Sequence, residues 1–265
     1  GSIVLVSSNH FVSMIIGIET ISMSLYGMVA YPVQNGRSAA HALEAAVKYL
    51  VLSAAASGFM LFGIALIYAQ TGTLEFSSLT NSLINSGVSE SFSITALILL
   101  FSGLAFKLSL APFHIWTPDV YEGSPLPSTI YLATIGKAVI FIVLLRIVIG
   151  TEALSLESVS KAIALVAGIS IILGNLLALL QKNIKRILSY SSIAHMGYLL
   201  IALIAIVDSE GTITIESITI YLVAYIIMSI GAFGVASISS SSEAELDDIE
   251  DYKGLFWRDP WLACI

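Results

Sequence analysis

The chain has 265 residues, of which 57% are apolar and only 11% are charged. Soluble domains contain about 45–50% apolar and about 25% charged residues, so this composition and a mean hydropathy of +0.94 indicate a lipid-facing protein. The formal net charge of −7 argues against a nucleic-acid binder, which needs clustered lysine and arginine side chains to neutralise phosphates. The single cysteine, Cys264, excludes a disulfide framework and a thiolate metal cluster within the chain.

Seven apolar segments are long enough to cross a bilayer as helices, which takes about 20 residues each. They are apolar all round rather than two-faced, as expected of helices that contact lipid. The sequence therefore predicts an all-α polytopic membrane protein with about seven full spans and partial spans at 1–9 and 260–265. The predicted full spans are residues 11–31, 41–69, 93–116, 128–149, 160–181, 187–207 and 214–237.

Lysine and arginine residues are distributed unequally between the connectors of this layout. The connectors 70–92, 150–159 and 208–213 hold none of them. Because cytoplasmic loops are enriched in these residues, the opposite set of connectors is predicted to face the cytoplasm or its organellar equivalent. That set consists of residues 32–40, 117–127, 182–186 and 238–259, and it holds Arg37, Lys182, Lys185, Arg186, Lys253 and Arg258.

Four ionisable residues lie well inside the predicted spans, namely Glu19, Lys48, Lys107 and Lys137. Each charge at the bilayer centre costs roughly 2.5–3.5 kcal/mol on insertion scales. Three lysines cannot each pair with one carboxylate, and desolvation beside other cations disfavours the ammonium form, so these amines are candidates for proton exchange. For any one lysine, the alternatives are a structural ion pair or a side chain that reaches the membrane interface.

Two predicted spans add polar detail. His41, Glu44 and Lys48 share one helix face, and Glu44 precedes Lys48 by four residues, which is the favourable order for an ion pair. His195 lies in mid-span among the hydroxyl side chains of SYSSIAHMGY, a stretch that ends at Tyr198. Both a packed structural histidine and a hydrated polar route fit this second pattern.

The third predicted span is interrupted by Pro112, five residues after Lys107 and two before His114. Proline removes one intrahelical hydrogen bond and clashes with the preceding turn. Lipid cannot supply partners for the freed backbone groups, so helices broken at membrane depth tend to line hydrated cavities or ion sites. The alternative is a proline kink without a functional role.

Three stretches of the sequence carry a family resemblance. Residues 106–125, FKLSLAPFHIWTPDVYEGSP, closely resemble the signature of the antiporter-like membrane subunits of respiratory complex I. The stretches 175–198 and 251–260 (NLLALLQKNIKRILSYSSIAHMGY and DYKGLFWRDP) agree with it, so that the resemblance covers essentially the whole chain. The match is nearest to the N-type subunit of bacterial NADH:quinone oxidoreductase, the counterpart of mitochondrial subunit 2.

The resemblance implies a fold of about fourteen helices that contains two inverted five-helix repeats. The seven predicted spans would then be helices 5 to 11 of an internal fragment. Residues 1–150 would run from the end of helix 4 to helix 8 as the first repeat, and 151–265 would begin the second repeat, truncated at the start of helix 12. We therefore expect the second broken helix of the family, with its charged residue, to follow Ile265.

The resemblance also implies roles for individual residues. It places Glu19, Lys48, Lys107, Lys137 and His195 on the hydrophilic axis along which the family moves protons. In the family, the glutamate modulates protonation of the lysine on the broken helix. Supporting positions are Glu44, Pro112, His114 and Tyr198.

The implied function is that of a proton-translocating subunit of NADH:quinone oxidoreductase, in the bacterial plasma membrane or the mitochondrial or plastid inner membrane. Its expected partners are lipid and the other membrane subunits of complex I. We expect no cofactor in this chain, since it lacks a cysteine cluster and a GxGxxG motif after a strand, and NADH, FMN, iron–sulfur clusters and quinone would bind other subunits. Two alternatives remain: a subunit of a multisubunit cation/proton antiporter, which the TPDVYEGSP stretch disfavours, and a non-conducting membrane scaffold.

Overall fold

The computed structural model describes residues 1–31, 37–76, 90–151, 154, 157–206, 211–240 and 246–264. Within these residues the regular structure is helical, and the β-type pairing consists of two isolated bridges, His10 with Glu75 and Asn183 with Asp248. This confirms the predicted all-α polytopic class. Parts of the connectors 32–40, 70–92, 150–159, 208–213 and 238–259, together with Ile265, lie outside the described residues.

The described helices are numbered here in chain order. The first half contains α1 (Ser2–Val6), α2 (Phe11–Ala30), α3 (Arg37–Thr71), α4 (Glu90–Lys107), α5 (Trp116–Gly123) and α6 (Leu126–Tyr131). A π-helical segment, Leu132–Gly136, joins α6 to α7 (Lys137–Thr151). The second half contains α8 (Glu157–Ala178), α9 (Ile184–Ile204), α10 (Gly211–Ser239), a 3-10 turn (Ile249–Tyr252), α11 (Leu255–Arg258) and α12 (Pro260–Ala263).

Six helical stretches of the described chain are long and apolar enough to cross a membrane. They agree with six of the seven predicted spans to within a few residues at each end. Their bounds are Phe11–Ala30, Ala40–Thr71, Leu126–Thr151, Glu157–Ala178, Ile184–Ile204 and Ile213–Ser239. The remaining prediction, 93–116 as a span interrupted at Pro112, is confirmed as a broken helix: α4 ends at Lys107, and α5 begins at Trp116 after a turn that contains Pro112.

The break in the third predicted span begins at Lys107, five residues before the proline that predicted it. The next residues form turns, with Ser109 in the left-handed region at φ 61°. Backbone groups of this turn are satisfied by side chains: the Trp116 indole donates to the Phe106 carbonyl at 3.1 Å, and the Ala111 N–H donates to Ser170 Oγ at 2.9 Å. Protein side chains thus replace the partners that lipid cannot provide.

Two close helix pairs hold the site elements together, and each depends on a glycine. A β-carbon at Gly103 of α4 would lie 2.0 Å from Met60 Cγ of α3. A β-carbon at Gly174 of α8 would lie 2.8 Å from the backbone nitrogen of Ala194 in α9. Small residues of this kind allow backbones to approach closely inside membranes, where helix association depends on packing.

The connectors meet at two opposite ends of the helices. At one end the Phe11 N–H donates to the Leu74 carbonyl at 2.9 Å, and the Phe76 N–H donates to the Asn9 carbonyl at 3.0 Å. At the other end the Ile249 N–H donates to the Lys182 carbonyl at 2.9 Å. Where they are described, the connectors therefore group at the two ends as the charge pattern predicts.

Candidate functional site

Lys107, the last residue of α4, is buried with only 8% of its surface exposed. Its ammonium donates to Ser22 Oγ of α2 at 2.7 Å and to Ser53 Oγ of α3 at 2.6 Å. The Ser22 hydroxyl donates in turn to the Ile18 carbonyl at 2.9 Å, which leaves its lone pairs for the ammonium. The carboxyl end of α4 carries partial negative charge, so the helix break itself helps to accommodate a cation there.

Glu19 lies close to this lysine but contacts a different side chain. Its carboxylate accepts a hydrogen bond from Ser57 Oγ at 2.5 Å. Ser57 follows Ser53 by one turn of α3, and Glu19 precedes Ser22 by about one turn of α2, so roughly 5 Å along the helices separates the carboxylate from the level of the amine. The expected glutamate–lysine neighbourhood is present, without an ion pair between the two in the described structure.

A small cavity of about 20 Å³ lies beside Lys107. Its wall includes Ser22 and Tyr49 on one side and Leu132 and Gly136 of the π-helical segment on the other. Space of this size is about what one water molecule requires. The cavity therefore extends from the first lysine toward the segment that directly precedes Lys137.

Lys137 is 1% exposed and has a hydroxyl partner of the same kind. Its ammonium donates to Ser192 Oγ of α9 at 2.7 Å and lies 5.7 Å from the centroid of the Tyr121 ring, within cation–π range. Ser192 Oγ lies 2.6 Å from the Tyr225 hydroxyl of α10, and that hydroxyl donates to the Ala133 carbonyl at 2.7 Å. Helices α7, α9 and α10 thus converge on one buried amine.

The π-helical segment explains how the Ala133 carbonyl can receive this bond. In a regular α-helix it would accept from the N–H of Lys137, four residues later. Here the Lys137 N–H donates to the Thr134 carbonyl instead. This three-residue bond lies where the π-helical segment Leu132–Gly136 meets α7, and π-helical segments inside α-helices occur frequently at functional sites.

His195 lies one turn after Ser192 on α9, as the sequence predicts. Its Nδ1 is 2.7 Å from the Tyr221 hydroxyl of α10, and Tyr221 precedes Tyr225 by one turn. Tyr198 stacks edge-on near the imidazole at 5.9 Å between ring centroids, and its hydroxyl accepts from Asn175 Nδ2 at 3.3 Å. Two rungs, Ser192–Tyr225 and His195–Tyr221, therefore connect α9 with α10.

Lys48 lies within the span Ala40–Thr71, as predicted, but its environment differs from that of Lys107 and Lys137. Its side chain is 42% exposed and forms ion pairs with Glu44 at 2.8 Å and Asp119 at 3.0 Å. Lys48 lies about three turns into α3, where its carboxylate partners come from the same helix, at Glu44, and from α5, at Asp119. The predicted pair with Glu44 is confirmed, and Asp119 is a second carboxylate partner of this lysine.

Asp119 of α5 joins this pair to a larger network at the same end. It accepts from Arg186 Nη1 at 2.9 Å, and the same nitrogen donates to Glu122 at 2.7 Å. Partial burial raises the pKa of Asp119, but the hydrogen bonds from Lys48 and Arg186 outweigh it and hold the pKa below its ordinary value. The carboxylate is therefore charged throughout the neutral range.

Lys185 is a third buried lysine of the described chain, at a position predicted from the sequence to lie in a connector. It begins the first turn of α9, is 1% exposed and lies 3.5 Å from the Asp247 carboxylate. Its ammonium also donates to the Ser124 carbonyl at 3.3 Å and to the Glu122 carbonyl at 3.4 Å, at the end of α5. It fastens α5 and the 246–252 segment to α9.

Two supporting positions lie apart from the lysines. Pro112 and His114 belong to the turn between α4 and α5. His114 Nδ1 is buried and has no hydrogen-bond partner among the described residues. The structure therefore does not bring His114 into the hydrogen bonds of Lys107, and Pro112 contributes to the break rather than to the polar interior.

The sequence did not predict the serine partners of Lys107 and Lys137. Serine has no strong hydropathy signal, although Ser22 three residues after Glu19 and Ser192 three before His195 share helix faces with predicted residues. No cluster of three or more metal-ligating side chains occurs in the described part of the chain. The site is thus built of lysines, hydroxyls, one carboxylate and one imidazole.

Almost the whole of this chain matches parts of known membrane proteins in sequence and fold. The family described as NADH:quinone oxidoreductase/Mrp antiporter, transmembrane, matches residues 8–265. A chain of respiratory complex I from Thermus thermophilus, solved with bound aureothin, is 37% identical with a TM-score of 0.79, over 98% of this chain and 53% of that chain.

Two further solved structures are similar. A chain of an archaeal respiratory membrane complex, the membrane-bound sulfane sulfur reductase, is 26% identical with a TM-score of 0.84, over 98% of this chain and 51% of that chain. A chain of the Mrp complex from Dietzia sp. is 21% identical with a TM-score of 0.74, over 87% of this chain and 41% of that chain, which shows the fold alone. This chain spans about half the length of the chains it matches. It is a multi-pass integral membrane protein, and it belongs to the NADH:quinone oxidoreductase/Mrp antiporter transmembrane family.

Proposed function

We propose that this chain is the proton-conducting part of a membrane subunit of NADH:quinone oxidoreductase, in a bacterial plasma membrane or an organellar inner membrane. The observation that carries the proposal is the environment of Lys107 and Lys137. Both are buried at membrane depth, both donate to serine hydroxyls, and neither forms an ion pair within the described residues. Hydroxyls solvate an ammonium but do not fix its charge as a carboxylate does.

The physical argument concerns what such a lysine can do. Desolvation disfavours the ammonium form, and ionisable side chains inside membranes characteristically mark proton relays and ion pathways. A lysine held only by neutral donors and acceptors can release its proton without leaving a buried carboxylate behind. Lys107 and Lys137 are therefore assigned as alternating proton carriers, with Glu19 tuning Lys107 through its charge and His195 receiving protons on the far side of Lys137.

The remaining predicted residues have smaller parts in the proposal. Lys48 and Glu44 stand at one end of the helices as an ion pair and hold the connectors in place. Residues 1–150 and 151–265 correspond to the first repeat and the beginning of the second. NADH oxidation and quinone reduction take place on other subunits, which also supply the membrane partners of this one.

The choice of NADH:quinone oxidoreductase over a cation/proton antiporter is supported by the comparisons. The complex I chain from Thermus thermophilus is 37% identical, whereas the Mrp chain is 21% identical. An antiporter subunit would make proton flux depend on a sodium gradient in vesicles without NADH. Proton flux that follows NADH oxidation and ignores sodium is the outcome expected here.

The test is Lys107→Ala in the full-length subunit within its assembled complex. We expect NADH-driven acidification of inverted membrane vesicles to be lost while the complex still assembles. The matched control is Lys161→Ala, since Lys161 is 74% exposed and pairs with Glu157 on α8. Normal acidification with Lys107→Ala would overturn the proposal, and loss of assembly with normal pumping by the residual complex would support a scaffold instead.

A further inference from the structure

The neighbouring hydrogen bonds determine which of the two hydroxyls beside Lys137, Ser192 or Tyr225, donates to the other. The Tyr225 proton is committed to the Ala133 carbonyl at 2.7 Å. The short contact of 2.6 Å between Tyr225 and Ser192 then requires the Ser192 hydroxyl to be the donor. With its only proton directed at Tyr225, Ser192 presents lone pairs to Lys137, whose ammonium donates to it at 2.7 Å.

The chain of donors therefore runs from Lys137 through Ser192 and Tyr225 to a backbone carbonyl. A carbonyl has no proton to pass on, so this chain ends where it meets the π-helical segment. It orients the lysine but offers no exit for a proton. The adjacent rung, His195 with Tyr221 at 2.7 Å, does contain a group that can take up and release protons.

We propose that Tyr225 is a positioning residue that holds the Ser192 hydroxyl as an acceptor for the Lys137 ammonium. Without the tyrosine hydroxyl, Ser192 loses the acceptor for its proton and can rotate that proton toward the lysine. The amine would then face a donor instead of an acceptor, which opposes its charged state. Tyr225 thereby determines how well Lys137 is loaded with a proton, although it never carries that proton itself.

The same arrangement recurs at the other buried lysine. The Ser22 hydroxyl donates to the Ile18 carbonyl and so turns its lone pairs to Lys107. There the orienting acceptor is the carbonyl one turn earlier on the serine's own helix. At Lys137 the acceptor comes from another helix, α10, which makes the orientation of Ser192 depend on the packing of α9 against α10.

This inference rests on the proposed proton-carrying role of Lys137, and the experiment separates the two. Tyr225→Phe in the full-length subunit of the assembled complex should lower NADH-driven vesicle acidification about three- to tenfold, the range expected from losing one hydrogen bond between neutral groups. Ser192→Ala should have an effect of similar size, and Ser192→Thr should restore most of the pumping because it retains a hydroxyl. Thr219→Val, an exposed position on the same helix, is the control that should pump normally.

A double-mutant cycle distinguishes positioning from packing. If Tyr225 acts through Ser192 on Lys137, then Tyr225→Phe should add nothing to Ser192→Ala or to Lys137→Ala. Additive losses, or a Tyr225→Phe variant that pumps normally while Lys137→Ala is blocked, would overturn the positioning role. Normal pumping by Lys137→Ala would instead overturn the proposed function on which it rests.

Discussion

Lysines occur in two kinds of environment in this protein, and the difference is chemical rather than one of burial alone. Lys107 and Lys137 lie in the helical interior and donate to serine hydroxyls. Lys48 and Lys185 lie where the connectors meet and contact the carboxylates of Asp119 and Asp247. Lys185 is as deeply buried as Lys137, yet of these four lysines only Lys48 and Lys185 have a counter-charge among the described residues.

The contrast teaches which buried charges are structural. A carboxylate partner stabilises the ammonium and makes release of the proton costly, because a buried unpaired carboxylate would remain. A hydroxyl partner stabilises the ammonium less and leaves no charge behind when the proton departs. The connector lysines are therefore suited to fastening helices, and the interior lysines are suited to gaining and losing a proton.

The largest expected effect comes from giving an interior lysine the partner of a connector lysine. Ser53→Asp places a carboxylate next to the Lys107 ammonium, which now lies 2.6 Å from the serine hydroxyl. We expect the complex to assemble and NADH-driven proton pumping to fall about tenfold or more, since each pK unit of added stabilisation corresponds to a factor of ten. Vesicle acidification at matched NADH oxidation measures it.

The control for this variant is Ser53→Asn, which has nearly the same size as aspartate but no charge. It should retain much of the pumping. Equal losses of pumping in Ser53→Asn and Ser53→Asp would mean that the size of the side chain matters and not its charge. The chemical distinction between the two kinds of lysine would then be contradicted.

The second effect concerns Lys185 and should appear in stability rather than in pumping. Lys185→Met removes a buried cation that contacts the Asp247 carboxylate and the Ser124 carbonyl. We expect a loss of about 2–3 kcal/mol, below the range for fully buried pairs because Asp247 is partly exposed. Thermal unfolding of the detergent-solubilised complex measures it.

Pumping per assembled complex should stay close to wild type for Lys185→Met. A variant that unfolds like wild type but pumps poorly would place Lys185 with the interior lysines. The two kinds of lysine would then be distinguished by how deeply they are buried and not by whether their partner is a carboxylate or a hydroxyl.

Local sequence properties account for what could be predicted of the fold. Six spans were predicted within a few residues because hydropathy is summed over about 20 neighbouring residues and hardly depends on the rest of the molecule. The break near Pro112 was predicted from the chemistry of proline, but its start at Lys107 was not. The turn begins there because Trp116 and Ser170 supply partners for backbone groups, and these contacts depend on tertiary structure.

The sequence predicted which ionisable residues of the site lie inside spans, but it did not predict which side chains they contact. Lys107, Lys137 and His195 were found because ionisable groups inside apolar spans are costly and therefore conspicuous. The Asp119 partner of Lys48 was not predicted, because it is 71 residues away in the sequence. The Ser192–Tyr225 pair and the π-helical segment leave no mark in local composition, since they result from how α7, α9 and α10 pack.

A third prediction sharpens the comparison at Glu19, the carboxylate of the interior. Because it lies one turn from Lys107 and is held by Ser57, its charge should act on the lysine without fixing it. We expect Glu19→Gln to reduce pumping several-fold and Glu19→Asp to retain part of it, as the Coulomb interaction of nearby charges in a membrane interior would require. Initial rates of vesicle acidification compare the two.

Equal activity of the Gln and Asp variants would show that the carboxylate is structural. Ser57→Ala serves as a matched variant, since it removes the hydrogen bond but leaves the charge. It should cost less than Glu19→Gln if the charge is what matters.

The smallest effect is expected at Asp119 in the connector network. Its folded pKa lies below the ordinary value because of Lys48 and Arg186, so the stability it contributes is complete above the unfolded pKa of about 3.9 and disappears as the pH falls through the lower folded pKa. With the side chain 36% exposed, solvent screening limits the contribution to about 1 kcal/mol.

Asp119→Asn should therefore unfold slightly more readily than wild type at pH 7, and the two should begin to converge as the pH falls below about 4, near the unfolded pKa. Lys48→Met should behave similarly at neutral pH, and both should pump within about twofold of wild type, as expected for partly exposed ion pairs. Parallel thermal unfolding and acidification assays check both points. A tenfold loss of pumping in either variant would extend the proton pathway into the connector network, and carboxylate pairing would then no longer separate the fastening lysines from the conducting ones.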